Sequence, residues 1–101
     1  MKAPSQPSNQ TPKQQNPIEQ LISKLPNKVL QYGDRGEDVR ILQQALNMIN
    51  FKCGAEDGVF GQKTLDAVKR VNLMFSGGNK NGMYDKKTKN YIISKLREKM
   101  K

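Results

Sequence analysis

Apolar residues recur along this chain at helical spacing. Val39, Leu42, Leu46 and Ile49 follow one another in steps of three and four, which places all four on one face of a helix. The opposite face carries Arg40, Gln44 and Asn47, and Glu37 and Asp38 fall in the first turn, where the positive end of the helix dipole favours carboxylates. Upstream, Ile18, Leu21, Ile22 and Leu25 share a face. They predict a short helix over residues 17–25, capped by Asn16, with Pro17 at its first position and Pro26 as its stop. Downstream, Leu65, Val68, Val71 and Phe75 predict a third helix from Gly61 to about Phe75, ended by Ser76, Gly77 and Gly78. A last helix starts with Asp85 as its N-cap and runs towards Lys99, burying Ile92 and Leu96, with Tyr91 and Ile93 at its margins. Phe51 to Phe60 reads as an irregular loop, and extended backbone is expected only in short pieces around Val59 and Met83. The chain is therefore read as all-α.

The stretches leading into the last two helices share a pattern. DGVFGQKT from Asp57 returns from Asn81 as NGMYDKKT, with Gly58 matching Gly82, Phe60 matching Tyr84, Lys63 matching Lys87 and Thr64 matching Thr88. Asp-Gly and Asn-Gly are turn dipeptides whose glycine tolerates positive φ, so each copy spells a turn followed by a helix. Two turn-helix repeats in so short a chain suggest a small binding domain. Asp57 is placed to accept hydrogen bonds from backbone N–H groups two or more residues on, and Thr64 and Thr88 read as local hydrogen-bonding residues. A threonine nucleophile needs an adjacent base, and none is recognisable.

Composition narrows the chemistry. Residues 1–16 are dominated by Pro, Ser, Gln, Asn and Thr with no large apolar side chain after Met1, so they read as a disordered polar linker ahead of a domain over residues 17–101 with its core in 28–99. Eighteen Lys and Arg against nine Asp and Glu give a net charge of +9, concentrated after Lys69, which suits an anionic partner or a strongly solvated surface. Cys53 is the single cysteine and histidine is absent, so neither an intrachain disulfide nor the usual zinc site can be built from this chain alone. Glu56 and Asp57 are adjacent in a loop and set no acid-base geometry for glycoside cleavage. No cofactor, no metal and no catalytic residue is expected. A membrane span is not expected either, since no apolar run is long enough, and Met1-Lys2 leads into polar residues rather than an apolar signal core.

The order Gly33-Asp34-Arg35-Gly36-Glu37-Asp38-Val39, Leu42-Gln43, Leu46-Asn47, Asp57-Gly58-Val59-Phe60-Gly61, Thr64 and Ala67-Val68 resembles the peptidoglycan-binding domain of cell-wall hydrolases, over roughly Leu30 to Leu96. The resemblance implies a three-helix bundle, here with an additional short N-terminal helix, carrying a binding groove accessory to a separate catalytic domain. Two positions depart from the family pattern. Asn50 stands where a Gly is usual, and Val71-Asn72 stand where Phe-Gln is usual.

A carboxylate-bearing, sugar-linked peptide calls for donors or a stacking face, and Arg40, Asn47, Arg70, Asn72 and Tyr84 are candidates to supply them. Gln43 is either a buried amide tying helix to loop or a groove residue, and Asp57 completes the candidate set. With no Trp, Tyr32, Tyr84 and Tyr91 are the candidates for an exposed aromatic platform, which favours recognition of a stem peptide or muropeptide over stacking along a glycan. The expected role is non-catalytic wall binding beside a hydrolase, lysin or wall protein, in the cell wall or outside the cell, with no signal peptide in this chain. The alternatives are a basic polyanion or nucleic-acid binder, for which no base-reading motif is present, and a protein-interaction domain that keeps the fold.

Overall fold

Four helices form where the apolar spacing predicts them. The computed structural model describes residues 17–100, so the linker 1–16 and its Asn16 cap lie outside the described residues. The helices are α1 (Pro17–Lys24), α2 (Glu37–Met48), α3 (Gln62–Asn72) and α4 (Lys86–Lys99). α2 packs against the other three, and α4 also meets α1 and α3. The predicted stripe of α2 is the centre of the core: Val39, Leu42, Ala45 and Leu46 are fully buried with Phe60, Val68, Val71, Tyr84, Ile92 and Leu96. Leu21 of α1 and Leu25 just after it dock this end of the chain onto the cluster.

The segment before α2 is the seam that joins the two turns. Gly36 N–H donates to Gly58 O at 2.9 Å, Phe60 N–H to Asp34 O at 2.9 Å and Gly33 N–H to Phe60 O at 2.9 Å. Further back, Leu30 and Tyr84 exchange both backbone bonds, at 3.0 and 2.9 Å. These antiparallel bridges, at Arg35 with Val59 and Leu30 with Tyr84, are the extended pieces expected near Val59 and Met83. Both turns require glycine. Gly58 and Gly82 have φ of 77° and 75°, and a Cβ on Gly82 would lie 2.4 Å from Leu65 Cδ1. Asn50, the residue in place of a Gly, has φ of 70°; asparagine is among the few other residues that accept that conformation.

Two boundaries carry physical information. α3 stops at Asn72 rather than near Phe75, because Met74 N–H turns back to Val71 O at 2.9 Å and tightens the last turn, leaving Leu73 and Met74 exposed. Phe75 instead stacks on Tyr91, ring centroids 5.5 Å apart. α4 begins as predicted: the Asp85 carboxylate accepts from Thr88 N–H at 3.0 Å. Partial burial would raise the Asp85 pKa, but bonds from Thr88 and Asn79 outweigh it and hold the carboxyl below its ordinary 3.8.

Asp85→Ala is therefore expected to cost about 1 kcal/mol of stability at neutral pH. Since the folded chain favours the ionised carboxylate, this contribution is complete above the unfolded pKa and is lost as pH falls through the lower folded value. The urea midpoint of the wild type should fall below pH ~4. Asp85→Asn, which keeps a cap but cannot titrate, should show a shallower acid decline; an identical decline would remove Asp85 as its source.

Candidate functional site

Inside the first turn, one side chain organises the backbone. Gln43 on α2 is buried, and the two N–H groups of its Nε2 are shared among Val59 O at 2.9 Å, Thr64 Oγ1 at 3.0 Å and Asp57 Oδ1 at 3.2 Å, while its Oε1 accepts from Gly58 N–H at 2.8 Å. Asp57 Oδ1 also accepts from Val59 N–H at 3.0 Å, two residues on. That backbone bond, then the Gln43 amide, lowers the Asp57 pKa. Of the two readings open for Gln43, the structure selects the tie between helix and loop.

The second turn uses the same scheme with a shorter amide. Asn72, at the end of α3, donates from Nδ2 to Met83 O at 3.2 Å and accepts from the Thr88 hydroxyl at 2.6 Å. Asn79 takes the part that Asp57 plays in the first turn, its Oδ1 accepting from Met83 N–H at 3.0 Å. Asn72 does not project towards solvent, because both ends of its amide are spent on this turn and the residue is buried. Tyr84 is likewise corrected: its ring is fully buried and its hydroxyl donates to Pro26 O at 2.8 Å, so it offers no exposed stacking face. Burial also pushes the phenol pKa well above its usual range. Tyr91 is half-buried against Phe75, which leaves Tyr32 as the exposed tyrosine among the described residues.

The remaining candidates reach the surface on the polar face of α2 and on α3. Arg40 is paired with Glu37 one turn back, Nε to Oε1 at 2.9 Å and a second contact from Nη2 to Oε2. This pairing lowers the Glu37 pKa and raises that of Arg40. Asn47 donates to Gly54 O at 3.0 Å and Glu56 Oε2 at 3.1 Å and accepts from Cys53 N–H at 2.9 Å, which fixes the loop after α2 beside the helix. Arg70 is exposed on α3 without a partner among the described residues. Thus Gln43, Asn47 and Asp57 gather where α2 meets the 50–61 loop, and Asn72 and Tyr84 belong to the second turn.

A cleft of about 500 Å³ opens between α1 and α2, lined by Leu21, Lys24, Gln44, Asn47, Met48 and Glu56 among others. Lys24, Gln44 and Glu56 were not among the sequence candidates. Gln44 shares the polar face of α2 with Arg40 and Asn47, a signal already in the spacing, whereas Lys24 and Glu56 reach the cleft only through folding. Together they offer an ammonium, a carboxylate and the Gln44 amide over an apolar patch, a set suited to a zwitterionic peptide. A smaller cleft of about 310 Å³ lies by Asp57, Lys63 and Thr64. Cys53 borders it, buried, with its thiol pushed up to about 11 by desolvation, so it stays protonated at neutral pH. Among the described residues no group of His, Cys, Asp and Glu is placed to hold a metal ion, and no helix is long and apolar enough to cross a membrane.

Helices clamped by two amide-tied turns, with polar clefts between them, define a small all-α recognition domain. The chain belongs to the family described as "Putative peptidoglycan binding domain", whose model matches residues 35–92. It is 36% identical over 76 residues to the spore cortex-lytic enzyme of Bacillus subtilis (strain 168), a stretch that is 75% of this chain and 25% of that enzyme. This chain therefore spans about a quarter of that relative's length. The crystal structure of the SleB N-terminal domain shares the fold, with a TM-score of 0.64 and 36% identity over 71% of this chain and 97% of that domain.

Proposed function

We propose that this domain binds bacterial cell-wall peptidoglycan without cleaving it, and so holds an associated hydrolase, lysin or wall protein at the wall or spore cortex. Family membership across residues 35–92 is the observation that carries the reading. The matched relative is a lytic enzyme of which this stretch is a minor part, which supports a role beside a separate catalytic unit. Tethering to an insoluble polymer raises the effective concentration of whatever is linked to the tether. A stem peptide or muropeptide is the favoured ligand, because the α1–α2 cleft sets Lys24 against Glu56 as a peptide with both carboxylate and ammonium groups requires. Arg40, Asn47, Asp57 and Arg70 are the accessible candidates of the original set, with Gln43, Asn72 and Tyr84 supporting them from within.

The purified chain should co-sediment with insoluble sacculi and release neither reducing ends nor free amines from them. Lys24→Gln and Glu56→Gln should each weaken sedimentation by about fivefold or more while leaving the far-ultraviolet circular dichroism unchanged. Soluble fragments produced by pure protein would overturn the non-catalytic reading. A general polyanion binder is the second reading, favoured by the net charge of +9. Salt separates the two: a binder of six or more phosphates loses about a thousandfold in affinity between 50 and 200 mM salt, and less than about tenfold is expected here.

A further inference from the structure

A second large cleft, of about 490 Å³, lies between residues 26–29 and the first half of α4 and shares no lining residue with the α1–α2 cleft. Its polar lining is three lysines, Lys28, Lys86 and Lys89, with the amides of Asn27 and Asn90, and no carboxylate. This sets it apart from three others. The α1–α2 cleft opposes Lys24 with Glu56, the cleft by α3 opposes Lys63 with Asp57, and a cleft near the end of α4 opposes Lys95 and Lys99 with Glu98.

The positive charge is only partly compensated. Lys28 is paired with Asp38 at 3.0 Å, but Lys89 donates to the neutral Asn27 Oδ1, and Lys86 has no partner among the described residues. Lys86 is the first residue of α4, a helix of 14 residues, so the positive end of the helix dipole adds to its charge. Asp85 precedes it and is held ionised by bonds from Thr88 and Asn79, so it offsets part of this charge without lining the cleft. Ile93 and Pro26 supply apolar lining, and Val29 remains 50% exposed beside them.

We propose that this cleft binds an oxyanion, carboxylate or phosphate, carried on a sugar-sized or short-peptide unit of the wall polymer. Its volume suits one such unit, and two adjacent ammonium groups with amide donors beside them are the complement of a multidentate anion. The source of the ligand rests on the wall-binding reading; the site itself does not. With the α1–α2 cleft it gives the domain two footholds on one polymer, which multiplies residence at the wall.

Titration of ¹⁵N-labelled protein with sodium glycerol phosphate, and separately with N-acetyl-D-alanine, should give saturable amide shifts at residues 86–90 that are absent in Lys86→Gln/Lys89→Gln. On sacculi, that double variant should bind about tenfold more weakly than wild type, while the charge-matched Lys52→Gln/Lys69→Gln loses less than about twofold. Sacculi stripped of phosphodiester polymers with hydrogen fluoride distinguish the sources: retained dependence on Lys86 and Lys89 assigns a peptide carboxylate, and its loss assigns a phosphate. Lys86→Gln alone, which removes no contact, keeps the test clear of folding effects. Equal losses in the two double variants, or unmoved 86–90 amides with both probes, would overturn the proposal. Wild type that fails to bind sacculi at all would instead overturn the wall-binding reading, with the titration still deciding the cleft.

Discussion

Gln43→Leu is expected to destabilise the domain by about 3 kcal/mol, although leucine is close in size and more apolar. The change strips the first turn of its central partner. Gly58 is buried, and its N–H loses the Gln43 Oε1 acceptor; the buried Thr64 hydroxyl and the Val59 carbonyl lose the amide donor. Each buried polar group left unpaired costs about 1–3 kcal/mol, so two of them exceed any gain from the added apolar surface. Urea unfolding followed by circular dichroism measures the effect. Gln44→Leu, one position along and only half-buried, is the control and should stay within about 0.5 kcal/mol of wild type. Comparable midpoints for the two variants would mean that the amide tie adds nothing to stability.

Leu42→Ala, at the preceding position, should cost about 2–5 kcal/mol by a different mechanism. Leu42 is fully buried in the centre of the helix that packs against all three others, so truncation leaves a cavity whose walls belong to separate elements. Collapse of that cavity would require several helices to move at once, which places the expected value in the upper part of the range. A loss below about 1 kcal/mol would show that the bundle repacks freely and that α2 is not its centre. The two neighbours thus test separate supports, apolar packing between helices and polar bonding between helix and turn.

On the proposed reading, wall binding should depend on both supports. The α1–α2 cleft has α2 as one wall and Glu56 from the loop as another, and Asn47 joins the two through Gly54 and Glu56. Loosening the loop would separate Glu56 from Lys24 and Gln44 without touching any of them. A variant such as Gln43→Leu should therefore lose sacculus binding at temperatures where its helices persist.

Much of the fold was legible because it is written locally. The spacing of Val39, Leu42, Leu46 and Ile49 marks a helix face wherever the helix later packs, and Asp85 caps α4 through a residue three positions away. The Asp57 bond to Val59 N–H spans two residues and was equally readable. The end of α3 was not, since Phe75 continues the apolar period and leaves it only to stack on Tyr91 of another helix.

The candidate site was less legible. Asn72 and Tyr84 carry groups that suit a ligand, and nothing in their own neighbourhood announces that Met83, Thr88 and Pro26 would use those groups first. The basic half that holds Lys86 and Lys89 reads equally as a solvated surface or an anion contact, and only folding brings residues 26–29 beside them to form a cleft. By itself the sequence determined the helices, their buried faces, the glycine turns and the family pattern, because each follows from periodicity, capping or φ preference within a few residues. Tertiary structure alone decided which polar side chains are consumed and which are offered. A donor's partner is set by what the folded chain brings within about 3 Å of it, and that distance is fixed only when segments remote in sequence have packed.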